Sequence, residues 1–197
     1  MRIAIDIDNV LTDTTIQILA FINSCFPQVN LKMEDMTSYW IEDALPPECQ
    51  WIVPIAFEQK SVWKKVRMIE GAAYYIRRLY EDGAEIYFAT ATTAENFRKK
   101  ISFLTRELSF FPEGYIRQHA ISIKKKQLLN VDFLVDDCYE HFTDSPLYHG
   151  ICFEYPWNEK FKAEQYAENN DVVFCKNWKE IYYAIQSINL EDHGLFK

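Results

Sequence analysis

The chain has 197 residues, 49% of them hydrophobic, with 21 Lys and Arg against 29 Asp and Glu and a formal net charge of −8. That length fits one globular unit or one unit with a small insertion, and the acidic balance argues against polymeric nucleic acid, whose phosphates repel it. Five scattered cysteines, Cys25, Cys49, Cys138, Cys152 and Cys175, show no zinc spacing and read as reduced thiols of a cytoplasmic protein. No basic leader precedes the first apolar segment, and no apolar run approaches the ~20 residues of a membrane span, so no membrane partner is expected.

The chain opens on Ile3 to Ile7, an apolar run without alternation, which predicts a strand buried on both faces. Asp6 and Asp8 close that run at i and i+2, and Asn9 and Asp13 follow. Side chains two residues apart in an extended chain point the same way. Two such carboxylates repel unless a cation or a proton separates them. The plainer account is a pair of solvated acids capping the next helix. Residues 14–26 then carry Ile16, Leu19, Ala20, Ile22 and Phe26 at near-helical spacing, and Pro27 ends that helix. Residues 28–69 have no strand–helix alternation but many bulky apolar and aromatic residues. They read as a small, mostly helical cap set between the first and second strands.

An amphipathic helix over 71–80 closes at Asp82-Gly83, where glycine supplies a left-handed cap. A strand over 85–90 runs into the hydroxyls Thr90, Thr92 and Thr93, and a helix follows over 94–108. The apolar stretch 120–123 leads into Lys124-Lys125-Lys126, with the lysine opening a helix. Strands over 132–136, 150–154 and 171–175 and a helix over about 177–188 complete a β-α-β alternation, with a loose tail after 189. The strand at 132–136 ends in Asp136-Asp137. In order the chain therefore offers Asp-x-Asp, a hydroxyl, a lysine and Asp-Asp, all but the lysine at strand ends. Strand ends of a parallel sheet share one rim. That rim would hold carboxylates for a hard divalent cation, with a hydroxyl and an ammonium for a phosphate. Only five glycines occur and none form a dinucleotide or P-loop signature.

This constellation resembles the haloacid dehalogenase superfamily of aspartate-nucleophile phosphatases. Asp6-Ile7-Asp8-Asn9-Val10-Leu11-Thr12-Asp13 and Phe88-Ala89-Thr90-Ala91-Thr92 are similar to the 5'(3')-deoxyribonucleotidases within it. So are the Lys126 to Asp136-Asp137 spacing and the late segments Phe153 to Asn158 and Asn177 to Ile181. Asn9 replaces the usual glycine, and asparagine tolerates a positive φ better than most residues. Ala91 stands where those enzymes often carry a second hydroxyl.

The resemblance implies an α/β fold with a doubly wound, mostly parallel Rossmann-like sheet. Residues 1–13 and 70–197 would form the core and 14–69 the cap. It implies Mg²⁺ as cofactor, a small phosphate ester as partner, nucleoside monophosphate foremost, and is compatible with a homodimer. A sugar phosphatase or a silent nucleotide-binding relative are the alternatives. Asp6 would be the nucleophile and Asp8 the general acid–base. Thr90 and Lys126 would hold phosphoryl oxygens. Asp6, Asp8 (through its carbonyl), Asp136 and Asp137 would hold the metal, with either of the last two as direct ligand. Asp13 is expected to cap a helix, Lys124 and Lys125 to be solvated, and His119 and His141 to be structural or solvated. Tyr39, Trp40, Trp51 and Trp63 would either stack on a base or form the cap's own core. A signalling receiver uses the same residue types, but with its acidic pair on the first strand and its lysine on the last, so the order here argues against one.

Overall fold

The computed structural model describes residues 1–143, 147–168 and 172–192. Six strands form one all-parallel sheet in the order β3-β2-β1-β4-β5-β6. They are β1 (Arg2–Ile5), β2 (Glu85–Thr90), β3 (Ala120–Ser122), β4 (Phe133–Asp136), β5 (His149–Phe153) and β6 (Val173–Cys175). The helices are α1 (Thr14–Cys25), α2 (Ile52–Glu58), α3 (Lys60–Trp63), α4 (Ala72–Glu81), α5 (Ala94–Glu107), α6 (Tyr115–His119), α7 (Glu159–Glu168) and α8 (Trp178–Asp192). This is the doubly wound architecture expected. Strand order reverses between β1 and β4, so their carboxyl ends open a crevice at the switch point, where open α/β sheets bind ligands.

The absence of alternation in β1 is explained by burial on both sides. Ile3 and Ile5 pack with Ile76 and Leu79 of α4, Leu104 of α5 and Ile181 and Ile185 of α8. Ala4 faces the other way, into a layer with Ala89, Leu134, Phe142 and Cys152. Residues 18–62 build a second apolar cluster around Ile18, Ile22, Met36, Ile52 and Ala56, into which Trp157 is the buried contribution from beyond β5. Three short 3-10 turns (Met33–Asp35, Ile41–Ala44, Pro47–Cys49) precede α2 and α3 in this segment. Its two ends meet. Asp13 N–H donates to Arg67 O (3.1 Å), Arg67 N–H donates to Asp13 Oδ1 (2.7 Å), and Ile69 N–H donates to Leu11 O (2.8 Å).

Several boundaries move by one or two residues. β1 stops at Ile5 because Asp6 and its successors turn into the rim, although Asp6 N–H still donates to Val135 O (2.9 Å). The last helix continues to Asp192, past the expected end at 188. Ile188 packs on the main core and Gln186 Nε2 donates to Asp82 Oδ2 (3.0 Å), which keep its final turns docked. The expected tail is thus helical over 189–192, and 193–197 lie outside the described residues, as does 171. The stretch 120–123, read only as apolar, contributes the edge strand β3. Asp13 occupies the N-cap position of α1, yet its carboxylate makes no capping bond. It holds the Arg67 backbone and Gln17 Nε2 instead, so it ties the returning chain and does not cap. Among the described residues no helix is long and apolar enough to cross a membrane.

Candidate active site

Asp6, Asp136 and Asp137 converge at the crevice between β1 and β4. Their nearest carboxylate oxygens all lie within 4.8 Å of one another, and all three residues are buried. Lys126, in the short 3-10 turn Lys126–Leu128, sends its Nζ into this cluster. It donates to Asp6 Oδ1 and Asp136 Oδ2, each at 2.5 Å. Asp136 also accepts from Cys138 N–H on Oδ1 (2.9 Å) and from His141 Nδ1 on Oδ2 (2.9 Å). Asp137 Oδ2 accepts from Asn9 Nδ2 (3.0 Å), while Asp137 Oδ1 is buried with no hydrogen-bond partner.

The electrostatics of the three acids diverge. Burial pushes the Asp6 carboxyl up to about 6 even with Lys126 opposing it. Burial drives Asp137 well above the usual carboxylate range, and the charges of Asp136 and Asp6 add to that. Burial would raise Asp136 too, but the Lys126 ammonium and the His141 hydrogen bond hold it at about 2. For Lys126 burial works against the charged form, yet Asp136 and Asp6 keep it well above the usual lysine range. The cluster therefore contains more carboxylate than it can ionise unaided.

Beside it Asp8 enters a second charged group. Thr14 Oγ1 donates to Asp8 Oδ1 (2.8 Å), and Lys100 Nζ of α5 donates to Asp8 Oδ2 and to Thr90 Oγ1 (2.7 Å). Together the two groups bring four carboxyl groups against two ammonium groups, an excess of acids over bases. That excess, the hard oxygen donors and the orphaned Asp137 Oδ1 fit a divalent cation such as Mg²⁺.

Backbone geometry sets the rim. Asn9 adopts φ 57°, the left-handed region that asparagine reaches more readily than most residues. Its side chain then bonds Asp137 and accepts from Thr15 N–H (3.1 Å), two contacts that a glycine at this position would lack. The late segments act as braces. Tyr155 OH donates to Asn9 O (2.8 Å), Trp178 Nε1 to Val10 O (2.8 Å), and Trp157 Nε1 (3.1 Å) and Asn158 Nδ2 (3.0 Å) to Asp137 O.

Of the expected site residues, Asp6, Lys126, Asp136 and Asp137 meet in one cluster and Asp8 and Thr90 in the adjoining one. Lys124 and Lys125 are exposed, as expected. His119 stacks on Tyr115 with centroids 3.9 Å apart, a structural role. His141 is not an isolated histidine: its bond to Asp136 makes it part of the site's support, and nothing in its sequence spacing announced that. Lys100 was also missed, because a helix lysine ordinarily points to water. Tyr39 and Trp40 line an open cleft of about 360 Å³ with Ala91, Lys124, Lys125 and His141. Trp51 is 58% exposed, lies against Phe26 and does not line this cleft, and Trp63 points at Lys100, 6.0 Å from Nζ to ring centroid. Trp40 and Trp51 are thus surface residues and not the inserted segment's core, which its aliphatic side chains form.

The fold matches haloacid dehalogenase-like hydrolases. A haloacid dehalogenase-like protein of unknown function from Agrobacterium tumefaciens superposes with a TM-score of 0.63 at 13% identity, covering 95% of this chain and 98% of that one. A haloacid dehalogenase family hydrolase from Deinococcus radiodurans, solved with phosphate and sodium, superposes with a TM-score of 0.60 at 14% identity, covering 96% and 95%. The profile of the family "5' nucleotidase, deoxy (Pyrimidine), cytosolic type C protein" matches residues 1–188, and the chain belongs to that family. Proteins named "Putative 5'(3')-deoxyribonucleotidase" are similar to it. The one from Staphylococcus epidermidis is 28% identical over 138 residues, 69% of this chain and 73% of its own length. One from Staphylococcus aureus is 27% identical over 150 residues, 74% and 79%. The protein is a hydrolase of the phosphatase and nucleotidase type.

Proposed function

We propose that the protein is a cytoplasmic, Mg²⁺-dependent phosphomonoesterase that acts on (deoxy)nucleoside monophosphates through an aspartyl-phosphate. The observation that carries this is the convergence of Asp6, Asp136 and Asp137 around Lys126, with Asp8 and Thr90 alongside. Asp6, Asp136 and Asp137 would hold the metal, with the Asp8 carbonyl, and the bound ion would offset the repulsion between carboxylate and phosphate.

In the first step a carboxylate oxygen of Asp6 bonds to phosphorus as the ester P–O bond breaks. The proton on Asp8 passes to the departing ester oxygen. In the second step Asp8 takes a proton from water as that water's oxygen bonds to phosphorus, and the bond from phosphorus to Asp6 breaks. Inorganic phosphate leaves, Asp6 is regenerated, and the proton on Asp8 restores the starting state. Lys126 and Thr90 present a cation and a hydroxyl to the phosphoryl oxygens without having to reorient. His141 and the Cys138 N–H hold Asp136, and Asn9 holds Asp137, so the carboxylates keep their aim. Residues 14–69 act as the cap that selects substrate. Tyr39 and Trp40 in the cleft beside Lys124 and Lys125 offer an aromatic face to a base, and the names borne by the staphylococcal relatives support a nucleotide.

The test is a panel of phosphate esters with purified protein and Mg²⁺. Deoxynucleoside monophosphates should exceed base-free sugar phosphates in kcat/KM. Equal or better turnover of the base-free esters rejects the nucleotide and keeps the phosphatase.

A further inference from the structure

Lys100 has no part in the chemistry assigned so far, and its placement is unusual. It sits in the middle of α5, yet only 2% of its surface is exposed. Removing an ammonium from water costs several kcal/mol unless partners hold it. Its partners are Asp8 Oδ2 and Thr90 Oγ1, with the Trp63 ring of the inserted segment 6.0 Å away. The other oxygen of Asp8 accepts from Thr14 Oγ1, which is itself 2.8 Å from Thr12 Oγ1. Asp8 is therefore clamped on both oxygens, by α1 on one side and α5 on the other. A carboxylate gripped at both oxygens cannot rotate about its last torsion without breaking a bond. Lys100 reaches Thr90 at the same time, so a single ammonium spans two residues that the proposed mechanism uses.

We propose that Lys100 is a positioning residue: it fixes the carboxylate of Asp8 relative to the Thr90 hydroxyl, so that proton handling and phosphoryl binding share one geometry. This rests on the hydrolase mechanism above. Misplacing a reacting group by about 1 Å can cost 10²-fold in rate, so the arrangement is worth fixing even at the expense of a buried charge. Two rival roles make different forecasts. As a phosphate ligand, Lys100 would act on every ester alike. As a charge that merely balances Asp8, it would affect stability and not rate.

The experiment is a double-mutant cycle of D8N, K100M and D8N/K100M, each verified as folded by thermal melt, with K100R as a milder companion that keeps the charge but not its reach. Each is assayed on a deoxynucleoside monophosphate, whose alkoxide leaving group needs a proton, and on p-nitrophenyl phosphate, which needs it far less. Inhibition by inorganic phosphate is measured in parallel. We expect K100M to lower kcat/KM, which reports the first step, about 100-fold on the nucleotide and about tenfold less than that on p-nitrophenyl phosphate. K100R should show a smaller loss of the same pattern. Because Lys100 acts through Asp8, D8N/K100M should match D8N within about threefold. The inhibition constant for phosphate should hold within about twofold. Losses that multiply in the double variant overturn the proposal, as does an equal fall on both esters with weakened phosphate inhibition, which would make Lys100 a phosphate ligand. Unchanged rates in folded K100M or K100R overturn it as well. If K100M does not fold, K100R decides by the same criteria. A wild-type protein inactive on both esters removes the hydrolase mechanism, and the proposal falls with it.

Discussion

The rim at the ends of β1 and β4 and the inserted segment are built on opposite principles. At the rim, charge is buried: Lys126, Asp136 and Asp137 are each 1% exposed, and backbone geometry and a dense set of hydrogen bonds hold them. In residues 14–69 the pattern inverts. Aliphatic side chains form a small core, while Trp40, 54% exposed, stays at the surface beside the cleft. Apart from the unpartnered Asp137 Oδ1, the rim's charged groups are each held by partners, whereas residues 14–69 set exposed aromatic side chains beside the cleft. The proposed function gives the reaction to the first and substrate selection to the second.

The sharpest way to separate the two is Asp6→Asn. An amide cannot attack phosphorus, and we expect turnover to fall at least about 10³-fold while the thermal melt stays close to wild type. A folded variant keeping a tenth of wild-type activity ends the nucleophile assignment.

Next comes metal removal, which should strike the rim and leave the insert folded. Activity should vanish in excess EDTA, return with Mg²⁺ and return poorly with Ca²⁺, whose longer and more numerous contacts would let the carboxylates drift. Asp137→Asn sharpens this. It relieves a buried carboxylate with an unpartnered oxygen, so the metal-free variant should melt higher than metal-free wild type, by about 1–3 kcal/mol of stability. It should also lose the stabilisation that Mg²⁺ gives. A lower melt for the metal-free variant would mean the fold needs that carboxylate for itself.

On the insert side, Trp40→Ala should reduce kcat/KM for nucleotides by the equivalent of about 1–3 kcal/mol of stacking, roughly 5- to 150-fold, and affect p-nitrophenyl phosphate much less. Equal losses on both would place Trp40 in the chemistry and blur the division. The smallest effect is expected at the seam. Trp157→Phe keeps an aromatic ring against Tyr155 but removes the Nε1 bond to Asp137 O, and should cost about 1 kcal/mol in a denaturant melt. A null result would show that stacking and the Asn158 bond to Asp137 O hold the seam without it.

Much of this was legible beforehand, and for physical reasons. An unbroken apolar run ending in acids has few meanings in a parallel sheet, so Asp6, Thr90 and Asp136 could be placed at one rim from spacing alone. The positive φ at Asn9 was expected from the resemblance, which puts a glycine there, together with asparagine's tolerance of that region. What escaped was side-chain reach. Lys100 lies on a helix whose other lysine, Lys99, turns to Glu58 O (3.2 Å), and nothing in the pattern distinguishes the two. His141 needed the loop after β4 to fold back before it could meet Asp136. Asp13 looked like a cap because it sits at a helix start, but the chain returning at Arg67 competes for its carboxylate. The roles of the aromatics depended on which way short turns face, which periodicity does not encode.

The meeting of Leu11–Asp13 with Arg67–Ile69 has an evolutionary side. A segment that leaves and returns through adjacent hydrogen-bonded stretches imposes almost no end-to-end constraint on what lies between, and loop closure costs grow only slowly with length. Changes of length between those ties therefore carry only a small closure cost, and the register of β1 is set by its pairing with β2 and β4.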